Sequence, residues 1–133
     1  SFAMLANVIP IDQEMYLNKA LQMSSYVLRN GKSLLVFPEG GRSFDGGTME
    51  FKKGVGILST ELNIPLIPVY IKGSFEALPR AAKRPKFSEI KVSFGKPLYL
   101  SDVDMSKKPA GSDEYQFFVN ELRKRVDGLK EMK

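Results

Sequence analysis

Hydrophobic residues recur along this chain at two different spacings. From Glu14 to Asn30 they return every three or four positions, which predicts an amphipathic helix that stops at Asn30-Gly31. Shorter apolar runs bounded by Gly, Pro, Asn or Asp are typical of strands. The runs that predict strands are Asn7–Ile11, which Asp12 ends as a helix cap, Ser33–Phe37, Leu66–Lys72 and Ile90–Phe94.

Helical spacing returns between the later runs and at the end of the chain. We expect a helix from Lys53 to Leu62, one helical turn at Phe75–Leu78, and loops at 79–87 and 102–113. A long C-terminal helix is predicted to pack its apolar stripe in the core. The stripe consists of Tyr115, Phe118, Val119, Leu122, Val126 and Leu129. Strands alternating with helices predict an α/β domain with a mostly parallel, mixed sheet flanked by helices.

Composition limits the chemistry that this chain can perform. Its 133 residues, 43% hydrophobic and 26% charged, fit one ordinary globular domain. Cysteine and histidine are both absent, which excludes disulfides, thiolate catalysis and Cys-based metal sites. The usual general base near neutral pH is missing too, so base catalysis within the chain would fall to a carboxylate, lysine or tyrosine.

The charge balance points to anionic partners. The net charge of +5 suits phosphate esters, acidic lipid surfaces or nucleic acid, without choosing among them. The longest strongly apolar stretch, Ile64–Ile71, contains two prolines and is far shorter than the roughly 20 residues of a membrane-spanning helix.

Residues 36–47, VFPEGGRSFDGG, carry the most distinctive local chemistry. The glycines let the backbone approach a ligand closely, and the guanidinium of Arg42 suits a phosphate or carboxylate. Ser43 offers a hydroxyl and Lys52 a further charge, so these groups converge on one anion if the segment folds back. The start of the helix at Lys53 would add N–H groups. A plain strand-to-helix connection, with its charges paired or solvated, remains the alternative at this point.

This loop resembles a block of the glycerolipid acyltransferases, the group that includes the 1-acylglycerol-3-phosphate acyltransferases. Phe37–Ser43 is similar to the FPEGTRS block of that family, with Gly41 in place of Thr. Three further stretches resemble later blocks of the family in the same order. They are Phe51–Gly54, Ile64–Val69 and Val92–Leu98. Four ordered blocks over residues 37–98 make the resemblance specific.

The resemblance implies a glycerol-3-phosphate acyltransferase-like fold and a reaction that needs no cofactor or metal. A fatty acyl group would pass from acyl-CoA or acyl carrier protein to the hydroxyl of a lysophospholipid or a glycerol phosphate. Arg42 and Lys52 would hold the acceptor's phosphate, whereas Glu39 would either shape the site or close the loop structurally. The expected substrate-binding residues are Glu39, Gly40, Gly41, Arg42, Ser43 and Lys52.

The chain departs from the family pattern at two places. The family's catalytic His-x4-Asp block, which precedes all of these stretches, has no counterpart here, so we assign no catalytic residue. We expect residues 1–133 to be the C-terminal part of a single, N-terminally truncated acyltransferase domain, inactive alone. The alternative is a non-catalytic phosphate- or lipid-binding module. Gln13 stands where the family has an arginine, so either the acceptor head group is altered or another residue makes that contact.

A basic run near the middle of the chain suggests a second anionic contact. Either these residues form a solvated loop, or they rest on an acidic membrane surface with Phe75, Leu78 and Phe87 inserted shallowly. The run consists of Arg80, Lys83, Arg84 and Lys86. The expected location is therefore cytoplasmic, at the face of the membrane. We expect no nucleic-acid partner, because stacking platforms and a recognition helix are missing from the pattern.

Overall fold

The computed structural model describes Asn7, Ile9 and residues 17–132. The chain forms two compact units, one ending at Val36 and the other beginning at Phe37. None of the helices in the described ranges combines the length and apolar character needed to cross a membrane. The elements are helix α1 (Leu17–Arg29), helix α2 (Gly54–Leu62), strand β1 (Val69–Lys72), helix α3 (Ser74–Ala77), strand β2 (Lys91–Phe94) and helix α4 (Glu114–Gly128).

Helix α1 belongs to the first unit and matches the predicted amphipathic helix. Ala20 and Ser24 are buried, as expected for one face of the 3.6-residue period. The helix ends as its sequence indicates, because Gly31 takes a φ of 73° and donates its N–H to the carbonyl of Leu28 at 3.1 Å. Most of the predicted strand Asn7–Ile11, together with Asp12 and Gln13, lies outside the described residues.

The prediction of a buried strand at Ser33–Phe37 is wrong for the structure as described. These residues run without ladder pairing, and Leu35 and Phe37 are 71% and 66% exposed. An apolar run becomes a strand only when a neighbouring strand pairs with its N–H and C=O groups. Among the described residues, strand pairing occurs between β1 and β2.

The core of the second unit is built around α4. Phe118 and Val119 are fully buried, so the predicted role of the C-terminal stripe in core packing is confirmed. Helix α2 packs directly on α4 at Gly56, where an added Cβ would lie 2.9 Å from Cγ1 of Val119. Asn63 ends α2 in the left-handed conformation, with a φ of 50°, as its sequence predicts. The other buried apolar side chains of this unit are those of Phe51, Val55, Pro68, Leu98, Leu122, Val126 and Leu129.

Strands β1 and β2 form an antiparallel pair. Their register sets Val69 opposite Phe94 and Ile71 opposite Val92, which groups four apolar side chains on one face. The strand predicted from Leu66 begins only at Val69, because Pro68 has no N–H to give to a ladder. The described helices and strands confirm the α/β class. The mostly parallel sheet stays a prediction, since the described sheet contains only this antiparallel pair.

The connection from β1 to β2 depends on Gly73. This residue has a φ of 88°, and an added Cβ would lie 1.9 Å from the carbonyl oxygen of Glu89. Only glycine fits so close an approach at a positive φ. The predicted helical turn at Phe75–Leu78 is present one residue earlier as α3.

The predicted connector before the last helix contains more local structure than the sequence suggested. Two 3₁₀ turns occupy Leu100–Asp102 and Met105–Lys107. Asp113 then caps α4 by accepting the N–H of Gln116 at 2.9 Å. That hydrogen bond, and after it the contact with Lys53, lowers the pKa of the Asp113 carboxyl. The connector therefore delivers the chain to a well-defined start of α4.

Candidate active site

The glycine-rich segment folds back on itself, which is the condition that the sequence left open. Gly40 has a φ of 70° and donates its N–H to the carbonyl of Phe37 at 3.1 Å. The N–H of Lys52 donates to the carbonyl of Pro38 at 2.8 Å, which closes the segment next to the start of α2. The start of this helix has no side-chain cap.

Glu39 holds the loop together. Its Oε2 accepts the N–H of Met49 at 2.6 Å, in a partly buried position. A carboxylate bonded to the backbone ten residues later fixes the width of the loop. The structure therefore favours the loop-closing interpretation of Glu39 over direct contact with a substrate.

Ser43 and Asp45 form a tight turn at the tip of the loop. The Ser43 hydroxyl donates to the carbonyl of Gly47 at 2.7 Å and accepts the N–H of Gly46 at 2.9 Å. Oδ1 of Asp45 accepts the N–H of Gly47 at 2.8 Å. This bond and then the Ser43 hydroxyl lower the pKa of the Asp45 carboxyl. The Ser43 hydroxyl, expected to contact substrate, is thus engaged in the turn.

Arg42 and Lys52 present the positive charge of the loop. Both side chains are exposed. Nη2 of Arg42 makes a long hydrogen bond of 3.4 Å to the carbonyl of Arg80, which leaves most of its N–H groups open to solvent. Of the six expected substrate-binding residues, these two therefore offer free cationic groups. Their binding role stays a prediction.

The base of the loop is anchored on α4. The Thr48 hydroxyl donates to Oδ1 of Asp127 at 2.8 Å, and Nη2 of Arg123 donates to the Thr48 carbonyl at 2.9 Å. Burial opposes ionisation of Asp127, but hydrogen bonds from Lys130 and Thr48 outweigh it and lower the pKa of the carboxyl. Two partly exposed side chains of α4 thus tie the base of the loop to the helix at the centre of the core.

Sequence reasoning missed Arg80, which the structure brings to this loop. Arg80 reaches it from the following loop, and its Cζ lies 3.8 Å from the centre of the Phe44 ring. The only sequence signal for Arg80 was its place at the head of the basic run. Nothing local distinguished it from the lysines and the arginine that follow.

Gly41 lies at a position of the loop where the backbone conformation tolerates a side chain. An added Cβ would meet no atom within 4 Å, and its φ is outside the left-handed region. We expect Gly41→Ala to raise the free energy of unfolding by about 0.4–1 kcal/mol, because it restricts the unfolded chain. Gly40→Ala is the matched control, and its positive φ predicts a loss of about 1–2 kcal/mol. Urea denaturation of both variants measures the difference, and equal effects would contradict the assigned loop conformation.

The described elements form an α/β protein whose glycine-rich loop carries an exposed arginine, and comparison with known proteins identifies its class. The chain belongs to the acyltransferase family. The family model described as "Acyltransferase" matches residues 1–72, which is more than half of the chain. The match includes the whole loop and α2.

Individual relatives agree with this family. A chloroplastic 1-acyl-sn-glycerol-3-phosphate acyltransferase of Brassica napus is 30% identical over 59% of this chain and 23% of its own length. A 1-acyl-sn-glycerol-3-phosphate acyltransferase of Limnanthes alba is 30% identical over 68% of this chain and 31% of its own length. The chain therefore spans between about a quarter and a third of these two relatives.

A solved structure shares the fold. The 1-acyl-sn-glycerophosphate acyltransferase PlsC of Thermotoga maritima superposes with a TM-score of 0.62 at 25% identity. The superposition covers 86% of this chain and 46% of PlsC. The resemblance expected from the sequence blocks is thereby confirmed.

Proposed function

We propose that this chain carries the acceptor-binding half of an acyltransferase site. The reaction would transfer a fatty acyl group from acyl-CoA or acyl carrier protein to the hydroxyl of a lysophospholipid or glycerol phosphate. The observation that carries the proposal is the exposed Arg42, fixed on a closed loop beside the N-terminus of α2. Guanidinium and backbone N–H groups together suit a phosphate monoester. The relatives, named for a glycerol phosphate acceptor, support the same ligand.

The proposal assigns acceptor binding to this chain and the general base to another part of the protein. The acceptor hydroxyl needs a general base before it attacks the acyl thioester, and this chain contains no histidine. We infer that the chain is the C-terminal part of one acyltransferase domain, whose His-x4-Asp block lies in preceding sequence. The sequence upstream of Ser1 tests this inference directly. Upstream sequence without such a motif would contradict it and favour the phosphate- or lipid-binding module.

The same proposal extends to the sheet. Val92 and Phe94 lie on the apolar face of β2, opposite Ile71 and Val69 of β1, and their side chains are 46% and 68% exposed. Adjacent apolar side chains on a sheet face are usually covered in a complete domain. We propose that in the intact domain this pair joins a larger, mostly parallel sheet that buries these side chains. Hydrogen exchange on the full-length protein provides the test. Fast exchange of the β2 amides there would contradict it.

The substrate proposal predicts that the acceptor's phosphate is essential. We expect the full-length protein to acylate 1-acylglycerol 3-phosphate with a kcat/KM at least about tenfold above that for 1-acylglycerol, since one charge-assisted contact accounts for that ratio. Release of free CoA from acyl-CoA measures both reactions. Equal rates with the two acceptors would contradict phosphate recognition.

We also propose that the protein works at the surface of the membrane, on its cytoplasmic face. The support is local: Phe87 is fully exposed beside the cations Lys83, Arg84 and Lys86. Phe75 and Leu78 are half-buried, so Phe87 is the available anchor of the three. Phe87→Ala should lower sedimentation with vesicles containing phosphatidylglycerol by roughly tenfold, from the loss of about 1.5 kcal/mol of apolar burial. Unchanged sedimentation would count against this surface.

A further inference from the structure

Arg42 and Arg80 lie together although 38 positions separate them. Nη2 of Arg42 donates to the carbonyl of Arg80 at 3.4 Å, and Nη1 of Arg80 donates to the carbonyl of Arg42 at 2.9 Å. The Arg80 guanidinium also lies over the ring of Phe44. Three contacts therefore hold Arg80 beside the glycine-rich loop, and two of them are made with the arginine expected to bind phosphate.

The positive charges of Arg42 and Arg80 are not neutralised by nearby carboxylates of the described residues. Within the described residues, neither guanidinium has a carboxylate within salt-bridge distance. Each guanidinium gives one nitrogen to the partner's backbone, and its remaining N–H groups are free to bind a ligand. Each guanidinium lies against the backbone of the other arginine, so an anion that reaches both groups would offset their repulsion. A phosphate monoester, with several acceptor oxygens, matches this arrangement better than a single carboxylate does.

We propose that Arg80 is a second phosphate-binding residue, which acts with Arg42 on the acceptor's phosphate and helps to select phosphorylated acceptors. This inference rests on the proposed function and extends it to a residue outside the four sequence blocks. The stacking on Phe44 preorganises the guanidinium, so less side-chain entropy is lost when the ligand binds. Acyl-CoA also carries phosphate groups. The experiment therefore measures the KM for the acceptor and the KM for acyl-CoA separately.

The test compares steady-state kinetics of the full-length protein with its Arg80→Ala and Arg80→Lys variants. The acceptor is 1-acylglycerol 3-phosphate below its critical micelle concentration, which removes effects of binding to an interface. We expect Arg80→Ala to raise the KM for this acceptor about tenfold or more, the effect of losing one charged hydrogen bond. We expect kcat and the KM for acyl-CoA to stay within about twofold, because the contact serves acceptor binding alone. Arg80→Lys should recover part of the loss.

Arg125→Ala is the control, since it removes the same charge at an exposed position on α4, outside the loop and the basic run. Its acceptor KM should equal that of the wild type. An equal rise in KM for Arg125→Ala would overturn the proposal in favour of a diffuse positive field. So would an unchanged KM in Arg80→Ala, a rise confined to acyl-CoA, or an equal loss with 1-acylglycerol as acceptor. If the wild-type protein does not use a phosphorylated acceptor at all, the proposed function itself fails.

Discussion

Replacement of Arg42 by alanine is expected to raise the KM for 1-acylglycerol 3-phosphate by roughly 10- to 100-fold in the full-length protein. The lost interactions are charge-assisted hydrogen bonds to phosphate, each worth about 1.5–3 kcal/mol. The loop itself should survive, because the contacts of Glu39 and Ser43 that close it do not involve the Arg42 side chain. Turnover at saturating acceptor should fall much less than kcat/KM, since the phosphate is bound in both ground state and transition state.

Lys53→Ala is the control for Arg42→Ala. Lys53 is a cation next to the predicted site, but its ammonium pairs with Asp113 at 3.2 Å on the surface. Exposed pairs of this kind contribute little to stability, so the variant should keep its fold. Its acceptor KM should stay within about twofold of the wild type. An unchanged KM in Arg42→Ala, or the same rise in both variants, would remove Arg42 from the acceptor site.

The second large effect concerns stability. Phe118 is completely buried on α4, so Phe118→Ala should lower the free energy of unfolding by about 3–5 kcal/mol. That is a large share of the roughly 5–15 kcal/mol that keeps a domain folded. Urea denaturation measures the change. If the alanine variant does not fold, Phe118→Leu should still fold with a smaller loss, because it leaves a smaller cavity.

Phe87→Ala is the control for Phe118→Ala. It deletes the same side chain from a fully exposed position and should change the free energy of unfolding by no more than about 0.5 kcal/mol. Similar losses in the two alanine variants, or a loss below about 1 kcal/mol for Phe118→Ala, would contradict the assignment of α4 as the centre of the core.

The helices were predictable because their signals are local. The period of α1, the left-handed Asn63 after α2 and the apolar stripe of α4 all depend on residues a few positions apart. The strand expected at Ser33–Phe37 failed for the opposite reason. An apolar run does not reveal whether another segment lies beside it to pair with, and pairing depends on distant sequence.

The candidate site also combines features that have a local sequence signal with contacts that have none. The glycines and the exposed charge of Arg42 could be predicted from one stretch of sequence, whereas the contact between Arg42 and Arg80 joins segments 38 positions apart and had no local signal. Ser43 shows another limit of sequence reasoning. A serine hydroxyl in a glycine-rich loop can serve a ligand or its own turn, and here it bonds to Gly46 and Gly47.

The central claim is that this chain binds the acceptor's phosphate while the general base lies elsewhere in the same protein. The most direct test assays the 133-residue chain and the full-length protein side by side with acyl-CoA and 1-acylglycerol 3-phosphate. We predict acyl transfer by the full-length protein and none above background by the chain alone, since it has no histidine. Enzymatic turnover by the 133-residue chain would contradict the claim.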